Sequence, residues 1–99
     1  MTAGCLGWPI PPTNPQRPLD VRGVPPVLVV GNTHDPATPL AWARSLSSRI
    51  HGSGLLVNDE NGGDGHASYL RAACATARID DYLVSGELPR AGTVCRQAP

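Results

Sequence analysis

Phenylalanine is absent from this sequence, and two tryptophans and two tyrosines supply all its aromatic rings. Aromatic side chains carry much of the buried area of a small protein, so their scarcity limits the core that 99 residues can build. Eleven prolines and eleven glycines divide the chain into short elements. The expectation is one small domain at most, read as part of a larger fold.

Other absences narrow the function. Eight basic and eight acidic side chains cancel, and no run of like charge occurs. That leaves no footprint for nucleic acid or an anionic membrane surface. The longest apolar run, "PPVLVV", is far too short to span a bilayer. The opening "MTAGCLGWPIPP" lacks a basic region followed by an apolar stretch, so it does not read as a signal peptide.

Cys5, Cys74 and Cys95 form no C-x-x-C pair, which argues against zinc. His34, His51, His66, Asp35, Asp59, Glu60 and Asp64 are potential metal ligands, yet no H-x-x-x-H occurs. The acidic loop also misses the EF-hand pattern. Counted from Asn58 it places Gly63 sixth but Tyr69 last, where glutamate is required. No metal is expected from these residues.

What is present has an order. Residues 8–26 hold seven of the prolines and read as an extended connector, neither helix nor central strand. No flanking charge marks a P-x-x-P ligand for an SH3-like partner. "VLVVGN" from Val27 is apolar on both faces and suits a buried parallel strand. Thr38 then Pro39 predicts a hydroxyl-capped helix over 39–50, with Leu40, Ala43, Leu46 and Ile50 on one face. "GLLVND" predicts a second strand. A second helix is expected from about Ala67 to Leu83, with Tyr69, Ala72, Thr76, Ile79 and Leu83 as its stripe and Gly86 as its stop. Trp42 and Tyr69 fall on the apolar sides of these helices and are expected in the core. The tail from Pro89 reads as irregular. Strand–helix–strand–helix is the alternation of an α/β fold with parallel strands. Two strands cannot close such a sheet, so the sheet is expected to be incomplete.

In open α/β sheets, sites gather beyond the carboxyl ends of the strands. The first strand runs into His34 and Asp35, the second into Asp64 and His66. An aspartate before proline serves turns, and a histidine among glycines is commonly a solvated loop residue. Their placement after successive strands supports a second role. Asp35 would orient an imidazole, and His66 would act as general base toward a serine. The acid precedes the histidine by 31 residues, room for one helix and one strand.

The blocks "PPVLVVGNTHDPATPLAWARSL", "GDGHASYL" and "CATARIDDYLVSGELPRAGTVC", with "CLGWP" ahead of them, resemble the C-terminal region of the tripeptidyl-aminopeptidase-like (TAP-like) α/β-hydrolases of actinobacteria. The resemblance runs from about Cys5 to Cys95. It implies that residues 27–99 are the last two parallel strands of that fold with their helices, after a connector over 1–26. It implies Asp35 as triad acid and His66 as triad base. It further implies an acyl-serine mechanism on peptides or esters without metal or organic cofactor, and a secreted or cell-envelope location. One departure stands out. No G-x-S-x-G occurs, and Ser45, Ser47, Ser48, Ser53, Ser68 and Ser85 all lie outside such a motif. Ser68 reads as a helix cap. The chain alone is expected to be inactive, its serine supplied by a missing N-terminal hydrolase segment. The alternative is a non-catalytic remnant or an interaction domain complementing that segment.

Cys74 lies on the face of the second predicted helix opposite its stripe, where a crossing tail could bring Cys95. A Cys74–Cys95 disulfide is expected, leaving Cys5 as the odd thiol; three free thiols are the alternative.

Overall fold

The computed structural model describes residues 4, 6–60 and 64–96. Cys5, and with it the expectation of an odd thiol, lies outside the described residues. The elements run β1 (Leu28–Asn32), α1 (Leu40–Arg49), β2 (Gly54–Asp59), α2 (Ala73–Ser85) and β3 (Val94–Arg96). The strands form one parallel sheet in the order β1-β2-β3. The α/β class and the open sheet are as expected.

β1 and β2 pair in register from Leu28 with Gly54 to Asn32 with Asn58. Side chains alternate across this ladder. Val30, Leu56 and Cys95 face α2 and meet Ala72, Ala75 and Ile79 in the core. Gly31 faces the other way, against α1. A Cβ built on Gly31 would stand 2.8 Å from both Ala43 Cβ and Leu40 Cδ1. Glycine is therefore required for the helix to sit this close to the strand. The helices lie on opposite faces while the strands step in one direction. The two crossovers consequently have opposite hands, and one departs from the right-handed rule.

β3 corrects the irregular tail expected after Pro89. Three residues are too few for periodicity to reveal, and Val94 and Cys95 are recruited by pairing with Val57 and Asn58. The sheet thus has three strands here, not two. The Cys74–Cys95 disulfide is present, but the tail reaches it as a sheet strand rather than as a strap over the helix's outer face.

α2 also begins later than expected. Ala67 and Leu70 have φ of 70° and 66°, which no helix accommodates. Tyr69 is therefore not helical and is 44% exposed, and Leu83 points to solvent. At the far end Gly86 adopts φ 75° and its N–H bonds Tyr82 O, the expected glycine stop. The amides of Cys74 and Ala75 donate to the Glu60 carboxylate at 3.1 and 3.4 Å, so an acid from the end of β2 satisfies the first turn of α2. Trp42 is 62% exposed, not core, because Leu40 and Ala43 take the sheet-facing side of α1.

Residues 6–26 contain no helix and no multi-residue strand. They are tied down where Val21 N donates to Arg49 O and His51 N to Val21 O, both at 2.9 Å. Tyr82 also donates its hydroxyl to Pro26 O at 2.6 Å. The radius of gyration is 16.1 Å, against about 13 Å for a compact domain of this length. Among the described residues only Leu56 and Cys95 are large and fully buried.

Two outcomes follow from this packing. Gly31→Ala forces α1 off the sheet and lowers stability by about 1–3 kcal/mol, read as a lower urea midpoint at unchanged slope. Replacing Cys74 and Cys95 by serine opens a loop of 21 residues and costs about 3 kcal/mol. Peptide mass spectrometry under non-reducing conditions that found both thiols free would refute the pairing.

Candidate active site

The in-register ladder brings the carboxyl ends of β1 and β2 level, so the two loops leave the sheet side by side. A parallel bridge between His34 and Asp64 continues the contact beyond the strands, with Gly65 N donating to His34 O at 3.3 Å. The His34 imidazole stands 3.6 Å from the Asp64 carboxylate in the open.

Asp35 enters a tight turn. Its Oδ1 accepts from the amides of Ala37 and Thr38, each at 2.9 Å. Its Oδ2 accepts the Thr38 hydroxyl at 2.9 Å and faces His66 Nδ1 at 2.9 Å. The turn role and the imidazole-partner role are thus performed by different oxygens of one carboxylate. Thr38 does not cap α1, as the sequence suggests. The N-cap is Pro39, with no side-chain bond, because the hydroxyl is committed to Asp35. These donors hold the Asp35 carboxyl well below the usual carboxylate range. The Thr38 amide contributes most, partial burial opposes it, and His66, the Ala37 amide and the Thr38 hydroxyl add to it.

The pair is asymmetric in exposure. The Asp35 side chain is 5% exposed, the His66 side chain 58%. The carboxylate is fixed as an anion beneath an imidazole that reaches outward. With Nδ1–H donated to Asp35, Nε2 carries the lone pair. Nε2 has no protein partner among the described residues. Thr38 Oγ1 lies 3.1 Å from the same Nδ1 and backs the contact. Gly65, at φ 95°, makes the turn that delivers His66.

A layer of polar side chains lies below, at positions that sequence reasoning passed over. Asn32 and Asn58 close the two apolar strands and are partners in the ladder. Asn58 Nδ2 donates to Asn32 Oδ1 at 3.0 Å, and Asn32 Nδ2 to Gly65 O at 3.1 Å. Ser68 does not serve as the helix cap its position suggests: its hydroxyl donates to Asn32 Oδ1. Its backbone carbonyl instead accepts from Arg71 and Ala72 in a turn before α2. The available signal was a polar residue ending each apolar run, "VVGN" and "LLVN".

Val30, Asn32, Asp35, Thr38, His66 and Tyr69 contribute to the lining of a concavity of roughly 280 Å³. Tyr69 donates to Asp80 at 2.6 Å. That hydrogen bond, the Asp80 charge and partial burial raise its phenol above the usual range, so it stays a protonated donor. Among the described residues no three His, Cys, Asp or Glu side chains gather to hold a metal. No helix among them is long and apolar enough to cross a membrane.

Comparison with known proteins places these features. A family profile described as TAP-like protein matches residues 1–95. The serine protease Hip1 of Mycobacterium tuberculosis is 35% identical over 92 residues, which is 92% of this chain and 17% of that protein. A tripeptidyl aminopeptidase of Streptomyces lividans is 32% identical over 95 residues, 96% of this chain and 18% of its own. Carboxylesterase B of M. tuberculosis is 32% identical over 92 residues, 92% of this chain and 17% of its own. The chain thus spans about a sixth of the length of these curated relatives. No solved structure matches.

The lowered pKa of Asp35 sets a pH dependence. A carboxylate depressed in the folded state contributes stability that is fully present above its unfolded value, about 4, and is lost as the pH falls below it. Stability measured by urea unfolding therefore drops on acidification through that region. Asp35→Asn, which keeps an acceptor for both amides, flattens the drop. Equal acid limbs for the two proteins would show that Asp35 does not carry it.

Proposed function

The chain belongs to the TAP-like family of α/β-hydrolases, and from that premise we propose that it supplies the acid and the base of a serine hydrolase. Asp35 is the acid and His66 the base. The single observation that supports this most is the 2.9 Å contact between His66 Nδ1 and a buried Asp35 Oδ2, with Nε2 left facing out. An imidazole held this way takes the proton of an attacking serine at Nε2 and returns it to the leaving group. Asp35 stabilises the imidazolium without itself being protonated.

The nucleophile is the missing member. None of the six serines lies in a G-x-S-x-G turn. Ser68, nearest in sequence to His66, is 5% exposed with its hydroxyl donated to Asn32, so it is committed to structure. In this reading the serine and the oxyanion donors come from polypeptide outside these 99 residues. Residues 1–26 serve as connector and residues 27–99 as the hydrolase segment. The substrates are peptides or esters, the classes named by the serine protease, aminopeptidase and carboxylesterase relatives. A secreted or cell-envelope location belongs to the same reading.

Two measurements test it. The 99-residue chain alone is not labelled by a fluorophosphonate; covalent labelling of any of its serines would overturn the absence of a nucleophile. Assembled with a segment that carries a G-x-S-x-G serine, it hydrolyses a peptide anilide or an ester. In that assembly Asp35→Asn lowers kcat on the order of 10⁴-fold, the loss expected when the acid no longer fixes the tautomer. An unchanged kcat would remove Asp35 from the mechanism. A folded assembly with no turnover of either substrate would favour a non-catalytic role.

A further inference from the structure

The turn that bears His66 does not hold itself. Gly65 and Ala67, on either side of the histidine, both have positive φ, 95° and 70°. Left-handed backbone costs a non-glycine residue roughly 1–2 kcal/mol, so Ala67 must be held there by its surroundings. The imidazole is largely exposed and gains little from packing. Something else must keep Nδ1 against Asp35.

Asn32 occupies the place from which this can be done. It ends β1, three residues before Asp35, and is 3% exposed. Its Nδ2 donates to the carbonyl of Gly65, the residue before His66, at 3.1 Å. Its Oδ1 accepts from the hydroxyl of Ser68, two residues after His66, and from Asn58 Nδ2 at 3.0 Å. One buried amide thus grips the turn on both sides of the histidine and ties it to the strand that leads into Asp35. Asn58, its ladder partner, fixes which way the amide points, so the donor faces Gly65 and the acceptor faces Ser68. No buried side-chain nitrogen or oxygen among the described residues lacks a partner, so the network is closed.

We propose that Asn32 is a positioning residue for His66: by clamping Gly65 and Ser68 it holds the imidazole in the Nδ1–H tautomer on Asp35, with Nε2 directed outward. This rests on the reading of Asp35 and His66 as an acid–base pair. Its own consequence is the tautomer of one imidazole, which is observable without turnover.

The test is nuclear magnetic resonance on the ¹⁵N-labelled 99-residue chain, at a pH where the imidazole is neutral. Long-range proton–nitrogen correlations distinguish the two ring nitrogens. A free histidine side chain favours the Nε2–H tautomer, so a predominant Nδ1–H form reports the clamp. The wild-type chain shows Nδ1–H for His66. Asn32→Ala and Ser68→Ala lose it and revert to Nε2–H, whereas Ser68→Thr, which keeps the hydroxyl, retains it. Gly86→Ala serves as control, since it strains the left-handed stop at the far end of α2, away from the turn, and it keeps the Nδ1–H form. Where Asn32→Ala is too unstable to fold, the Ser68→Ala and Ser68→Thr pair decides. Retention of Nδ1–H in folded Asn32→Ala or in Ser68→Ala overturns the clamp. Loss of it in Gly86→Ala assigns the effect to general stability and likewise overturns the clamp. A wild-type imidazole in the Nε2–H form removes the Asp35–His66 pairing itself, and so fails the underlying reading rather than the clamp alone.

Discussion

The register of β1 on β2 is the constraint from which the rest of the molecule follows. Pairing Asn32 with Asn58 sets the two strand ends level, and only then do the turns that follow emerge side by side. A slip of β1 by one residue would carry Val30 off the α2 face and turn Asn32 away from Asn58. The slip is opposed from both faces. Gly31 must meet α1, where no side chain fits. Leu56 must fill the core beside Ala75 and Cys95. Hydrophobic packing therefore fixes the position of a carboxylate and an imidazole that contribute little to that packing themselves.

Above the strand ends the logic changes from packing to hydrogen bonding. Asp35 is nearly buried, and a buried carboxylate is costly unless donors surround it. Two amides, one hydroxyl and one imidazole do so. The same donors that lower the cost of burial also keep the group ionised and so able to support an imidazolium. The turn contacts and the imidazole contact thus coincide in one side chain, and the one does not exclude the other.

Both strands, the first helix and the two loops were legible because each carries a local signal: β-branched runs, a 3.6-residue period, and glycines beside charged residues. Asp35 and His66 could be paired because each follows a strand. The features that escaped are those that tertiary structure supplies. β3 is three residues long and exists through its pairing with β2. Thr38 has the sequence of a cap, but a nearby carboxylate competes for its hydroxyl. Ala67 and Leu70 are helix-tolerant residues held at positive φ by the turn around His66, so the helix starts only at Ala73. Trp42 lies outward because the closest approach of α1 to the sheet runs through Ala43 and a glycine.

The uneven distribution of order has a physical reading. Among the described residues the core is thin, with Leu56 and Cys95 as the large fully buried side chains, and a covalent link joins α2 to β3 within that small cluster. Yet the polar cluster around Asp35, His66 and Asn32 is fully paired. Among the described residues no buried side-chain donor or acceptor is left open, and Nε2 of His66 is an exposed atom that water can satisfy. The hydrogen-bonded pair of Asp35 and His66 is thus satisfied within two loops and one strand end. On the proposed reading, a segment bearing the serine would meet an imidazole already oriented, so the entropy of aligning it is met in folding this chain and not at the moment of assembly.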